Sequence, residues 1–216
     1  PNSAQSIRDM IGTHLTSGIT VYIQRDTRNR MFNPSEGSDN SFTITYIGGP
    51  FSGDYHYTKY IANSAWYIPT GLEETTILAR GKLGYITENQ TGGLPVWDKF
   101  QLGGMHSLRG FRWGQVSPKD PVTGEYIGGE KMALFNFELV FPLIKETGFM
   151  GVIFYDTGNV WTEAQDYDFG DMRMSYGGGI RFYSPMGPLR LEYGKIIDRR
   201  AGEPEENWEF SMGTLF

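Results

Sequence analysis

Cysteine is absent from the 216 residues, which removes disulfide frameworks, thiolate metal sites and thiol nucleophiles from consideration. Basic charge is scarce as well. The net charge is -6, the pI lies near 5.1 and no Lys/Arg cluster is present, so there is no face suited to nucleic-acid phosphates. No stretch approaches the roughly 18 to 20 consecutive apolar residues of a transmembrane helix. The start, PNSAQSIRDM, has no basic region followed by an apolar one, and an opening without a signal peptide fits either a mature fragment or a cytosolic protein. Three histidines, His14, His56 and His106, stand far apart in no metal-ligand spacing. Ser107 has no G-x-S-x-G elbow around it, DYDFGD at 166 to 171 lacks the later Glu of a calcium loop, and no Gly-rich phosphate loop opens a helix. The expectation is no catalytic residue, no metal and no cofactor.

What the chain does have is 29 glycines, 15% aromatic residues and a period-two pattern along most of its length. In WEFSMGTLF, Trp208, Phe210, Met212 and Phe216 fall on one face, with Glu209, Ser211 and Gly213 on the other. In the segment from 172 to 184, Met172, Met174, Tyr176, Ile180 and Phe182 oppose Arg173, Ser175, Gly177, Gly179 and Arg181. Phe135, Phe137, Leu139 and Phe141 oppose Asn136 and Glu138, while Ile77, Ala79, Leu83 and Tyr85 alternate with Arg80 and Lys82. Helical periodicity is missing throughout. The pattern predicts nine strands, near 17–28, 38–48, 54–69, 74–88, 129–142, 148–161, 171–184, 187–197 and 206–216.

The connections are uneven. After NRMFNPSEG, the turns TGLEE, IKETG and PMG are short, and those between them, GPFSG excepted, are longer, as in an up-and-down transmembrane barrel. A soluble β-sandwich or lipocalin-like barrel also alternates, but it would point its large aromatics inward. Here the small and charged residues share one face, which suits a crowded or wet lumen, and Phe, Tyr, Trp and Met crowd the strand ends of the other, as an aromatic girdle would. The fold class expected is all-β, an up-and-down antiparallel transmembrane barrel. Nine strands cannot close antiparallel, since the first and last would run parallel and bacterial single-chain barrels carry even counts. The chain therefore reads as the C-terminal part of a larger barrel.

Ordered motifs sharpen this. SLRGF at 107 to 111, within FQLGGMHSLRGF, resembles the [V/L]-R-G-[F/Y] motif of the sixth extracellular loop of the Omp85 superfamily, outer-membrane barrels that insert or translocate other proteins. RDTRNRMFNPSEG at 25 to 37, GGEKMALFNFELVFPL at 128 to 143, FYDTGNVW at 154 to 161, SPMGPLRLEYG at 184 to 194 and an aromatic terminus agree in order and spacing. Each is weak alone; the ordered set, from about residue 17 to the end, is specific. Within the superfamily the chain looks most like the C-terminal half or more of the BamA-type assembly-factor barrel. The resemblance implies that residues 1 to 216 are about the last nine of sixteen strands, with loop 89–128 carrying the LRGF motif and with POTRA domains and the first strands outside the chain.

It further implies that the loop folds back into the barrel, where Arg109 of Leu108-Arg109-Gly110-Phe111 meets Asp156 of FYDTG and Glu138 of FELVF on the inner wall. The residues themselves agree: Glu138 is on the polar face of its strand, and Asp156 alternates with Phe149, Ile153 and Tyr155. A guanidinium accepts bidentate carboxylate pairing that Lys cannot reproduce, Gly110 permits close backbone approach, and a solvated Arg on a mobile loop is the bland alternative. The implied function is insertion of β-barrel proteins into the bacterial outer membrane through a weak seam between first and last strands. The last strand holds Trp208, Phe210, Met212, Gly213 and Phe216, with Gly213 giving either a kink or packing clearance. The implied partners are outer-membrane lipid and lipopolysaccharide, nascent β-barrel clients and accessory assembly lipoproteins, with no nucleic acid. The alternatives are a translocation pore of the two-partner secretion or TamA-like kind, the anchor of a patatin-like enzyme, or a passive porin. The sequence immediately upstream, its POTRA count or a G-x-S-x-G domain, separates most of these.

Overall fold

Alternation of large outward and small or polar inward side chains leaves the chain one regular solution, a sheet with two chemically different faces. The computed structural model, which describes residues 3–8, 11–91, 93–184 and 187–213, shows nine antiparallel strands in the simple order of the sequence. They are β1 (Gly18–Asp26), β2 (Gly37–Ile47), β3 (Tyr57–Pro69), β4 (Thr76–Glu88), β5 (Lys131–Ile144), β6 (Phe149–Trp161), β7 (Arg173–Ser184), β8 (Gly187–Ile196) and β9 (Glu206–Met212). Each predicted strand has its counterpart. The wall is not closed: β1 and β9 are both edges of the sheet.

The boundaries differ where loops hold the backbone. The third strand begins at Tyr57 rather than 54, because Asp54 N–H donates to the Leu15 carbonyl and His56 N–H to the Gly93 carbonyl. The fifth runs on to Ile144, with a register shift between Pro142 and Ile144, where proline has no N–H to give the ladder. The last is shorter than expected, ending at Met212; Phe216 lies outside the described residues. A single helical turn, α1 (Gln5–Arg8), precedes β1, and the Ala4 N–H donates to Glu125.

The outward face is apolar and exposed: Trp66, Ile77, Leu83, Phe137, Ile153, Trp208, Phe210 and Met212 are all open, Trp208 at 63%. A monomer in water rarely leaves so continuous an apolar surface uncovered, whereas hydrocarbon would cover it at no cost, and a strand ladder satisfies the backbone there. Across strands, Trp208 packs on Tyr193 with ring centroids 5.1 Å apart, and Phe149 on Phe182 at 5.5 Å.

Of the crowded and wet lumens that the sequence allows, the inward face is the crowded one at the long-loop end. Toward the long-loop end, Tyr57, Ile86, Met132, Leu134, Val160 and Ile196 form one buried cluster with Leu94, Phe100, Leu102, Leu108, Phe111 and Val116 of loop 89–128. The loop thus brings its own apolar face to the wall. Short pairings brace it internally: Leu102 with Val116 and Phe100 with Gly129.

Candidate functional site

At the inner end of that loop the sequence turns sharply between glycines. Gly104 N–H donates to the Phe111 carbonyl, and the Ser107 hydroxyl links to the Gly103 N–H and carbonyl at 2.8 and 2.9 Å. Asn136 of β5 donates to the Ser107 carbonyl at 2.8 Å. Leu108 and Phe111 point into the apolar cluster, both fully buried, and Arg109 between them is driven toward the wall.

The wall presents three carboxylates there. Glu138 stands on β5, Asp156 on β6 and Glu192 on β8. Arg109 Nε and Nη2 donate to the two oxygens of Asp156, each at 2.7 Å, the fork geometry that only a guanidinium offers. Its Nη1 donates to Glu138 at 2.6 Å and to Glu192 at 2.8 Å, and its backbone N–H reaches Asp156 at 3.2 Å. The guanidinium carbon sits 3.6 Å from the centre of the Phe154 ring. Asn136, directly opposite Asp156 in the ladder, donates to it as well, at 2.8 Å.

Two further arginines complete the cluster. Arg181 on β7 and Arg190 on β8 are directly opposite each other, a like-charge pair that would repel. Glu192 lies between them and accepts from both at 2.8 Å, while Arg181 also holds Glu138 through both terminal nitrogens. Three guanidiniums therefore face three carboxylates, and the cluster is neutral as a whole. It is also dry: Arg109 is 2% exposed and Asp156 fully buried. At this level the lumen is crowded rather than wet, because the docked loop and the Phe154 ring fill the space beside the cluster. Burial alone would make the Arg109 guanidinium less basic, but the charge of Glu138, with the hydrogen bonds and charges of Asp156 and Glu192, reverses this and keeps it protonated.

Glycines set the approach distance. Gly110 has φ +87°, and a Cβ on Gly194 of β8 would lie 2.5 Å from the Gly110 nitrogen and 2.9 Å from the Arg109 carbonyl carbon. Loop and strand backbones thus touch where any side chain would separate them. Phe111, beside them, has the Arg173 guanidinium 4.9 Å from its ring centre. Arg173 is in turn held by Asp198 at 2.6 Å and Glu203 at 2.7 Å, which ties the loop to the β8–β9 connection.

The structure thus brings Leu108, Arg109, Gly110, Phe111, Glu138 and Asp156 into one place. Trp208, Phe210 and Met212 lie apart from them, on the outward face of edge strand β9. Gly213 follows with φ +106° and, among the described residues, nothing within 4 Å of an added Cβ. Sequence reasoning missed Glu192, Arg190, Gly194 and the ring of Phe154. They lie within the motifs SPMGPLRLEYG and FYDTGNVW, and parity was the signal for their direction: Glu192 and Arg190 share the inward face of β8, as Phe154 shares that of Asp156.

The family model described as the Omp85 superfamily domain matches residues 3–216. The chain is 32% identical, over its whole length, to the outer membrane protein assembly factor BamA of Nitratidesulfovibrio vulgaris, covering 27% of that protein. It is 28% identical over 71% of its length to BamA of Neisseria meningitidis serogroup B, covering 23% of it. A crystal structure of BamA from Haemophilus ducreyi lacking POTRA domains 1–3 matches with a TM-score of 0.78 and 27% identity, covering 91% of this chain and 42% of that one. The chain spans about a quarter of the length of these curated relatives.

Proposed function

Because this chain belongs to the Omp85 superfamily, we propose that it is the C-terminal barrel wall of an outer-membrane protein assembly factor, working in the bacterial outer membrane without covalent chemistry. The observation that carries this reading is the built, buried loop anchor, with Arg109 held by Glu138, Asp156 and Glu192, on the inner side of a wall whose outer face is apolar. Relatives named as assembly factors, rather than as transporters or enzymes, favour insertion of barrel clients over a translocation pore or an enzyme's anchor.

The physics follows from the edge. β9 has seven residues, fewer than any other described strand, so a seam between it and the first strand of the full barrel, which lies outside this chain, would hold few ladder hydrogen bonds. Each unsatisfied backbone group in hydrocarbon costs several kcal/mol, so an incoming client strand gains by pairing there. A strand this short also spans less hydrocarbon and thins the lipid beside it. Loop 89–128, anchored through Leu108, Arg109, Gly110 and Phe111 to Glu138 and Asp156, keeps the wall in shape while the edge opens. Lipid and lipopolysaccharide would contact the outward aromatics, with accessory lipoproteins joining in the full-length protein.

The test is reconstitution of the full-length protein in phospholipid vesicles with an unfolded barrel client. Conversion of the client to a protease-resistant, heat-modifiable band is the expected result. Steady ion conductance with no client conversion would replace this reading with a passive pore.

A further inference from the structure

Toward the short-turn end, beyond the anchored loop, the inner wall borders a cavity of about 850 Å³. Six arginines and lysines line it, against two carboxylates, Asp39 and Glu138. Four of the cations are matched. Arg28 pairs with Asp26 and Asp39, and Arg109, Arg181 and Arg190 share the buried carboxylates.

Arg80 and Lys82 are not. They stand two residues apart on β4, hence on the same face and about 7 Å from each other. Arg80 Nε donates to the neutral Asn63 at 3.2 Å, and Asn63 is the residue directly opposite Lys82. Lys82 makes no hydrogen bond or ion pair among the described residues. The carboxylates whose charge reaches Arg80, Glu138 and Asp156, are already engaged, Glu138 by Arg109 and twice by Arg181 and Asp156 by the fork of Arg109. His106 of the loop borders the same cavity; partial burial and the charges of Arg190 and Arg80 hold it below the usual histidine range, so it offers a neutral N–H there. Two like charges on one face cost stability unless something answers them, and the chain as a whole is acidic, at -6.

We propose that Arg80 and Lys82 form a carboxylate-binding site inside the barrel, which takes an Asp- or Glu-bearing extended segment of a client polypeptide before it pairs at the wall's edge. The occupant is a peptide rather than a lipid because the site is on the lumen side of β4, while Ile77 and Leu83 present the opposite face outward. Met31, Phe32 and Met105 border the cavity too, giving apolar contact beside the charges, as an unfolded segment needs. This rests on the assembly reading above.

The experiment uses the full-length protein in vesicles, with a photo-crosslinking residue at Thr43, which borders the cavity. The probe is an unfolded barrel client with one acidic segment, alongside the same client with those carboxylates changed to Asn and Gln. The double variant Arg80→Gln with Lys82→Gln is expected to lower the adduct yield about three- to fivefold, the range of a partly exposed ion pair. The neutralised client should show the same loss, and the combination no further loss. Arg80→Lys, which keeps the charge, should retain most of the yield. Equal yields from all combinations, or a loss that accompanies a weakened barrel and ignores the client's charge, would overturn the site. A protein that inserts neither client overturns the assembly reading itself, whereas equal insertion and equal crosslinking overturn this inference alone.

Discussion

Arg109→Ala removes one guanidinium from a dry cluster, and the remaining contacts decide what that costs. Glu138 keeps Arg181, and Glu192 keeps Arg181 and Arg190. Asp156 alone loses its forked pair, retaining Asn136 and the backbone N–H of residue 109. Breaking a buried pair costs about 3 to 5 kcal/mol, and the two surviving hydrogen bonds place this case near 3. Loss of the contact with Phe154 adds about 1 kcal/mol. At 1.36 kcal/mol per decade, a total of about 4 kcal/mol raises the undocked population of the loop roughly a thousandfold. Hydrogen exchange reads this directly. The Leu102 and Val116 amides, bonded to each other's carbonyls, should exchange about a thousand times faster in the variant, while the β5–β6 ladder keeps its protection. Arg109→Ala combined with Asp156→Asn should fall well short of additive, since the partners share one interaction. An exchange change under about tenfold, or strict additivity, would refute the claim that this pair docks the loop.

Three other perturbations probe the surroundings. Gly194→Ala forces a Cβ into the Gly110 backbone, so loop 89–128 should become protease-sensitive although no charge has changed; unchanged digestion would show that the close approach is dispensable. Phe111→Ala empties a fully buried ring site and should cost about 3 to 5 kcal/mol of loop docking, read by the same exchange experiment, with a loss below about 1 kcal/mol counting against the apolar cluster. For Glu203, burial would raise the carboxyl, but the hydrogen bond from Arg173 prevails and holds it below the usual carboxylate range. A depressed carboxylate stabilises above its unfolded pKa of about 4.3 and loses that contribution as pH falls through the folded value. The 197–205 connection should therefore loosen below about pH 4, and Glu203→Gln should abolish that acid dependence in its proteolysis.

The strands were legible because lipid-facing and lumen-facing chemistry differ at every second residue, as in Phe135, Asn136, Phe137 and Glu138, and short turns fix the rest. The same parity put Glu138 and Asp156 on the inner wall. It could not say which inward acid meets Arg109, since that depends on how far the loop reaches. Arg109 meets three acids, and Glu192 answers a repulsion between Arg181 and Arg190 that exists only once β7 and β8 are in register. The dry half of the lumen had a weaker signal. Met132, Ala133 and Leu134 are apolar on both faces of β5, which alternation with a wet interior does not explain; a covering loop does. Phe154 and Gly194 became meaningful only through contact, one as a platform for the guanidinium and the other as an empty Cβ position.

The central claim is that β9 is a working edge. The chain contains no cysteine, so, with any cysteine elsewhere in the full-length protein replaced, single cysteines placed successively at Asn207, Trp208, Glu209, Phe210 and Ser211 can be paired with cysteines along one strand of a client arrested during insertion. The account predicts disulfides at positions that step one residue down β9 as they step one residue up the client, the register of an antiparallel pair, under conditions in which insertion proceeds. Client insertion at full rate with no disulfide at any of these positions would contradict it.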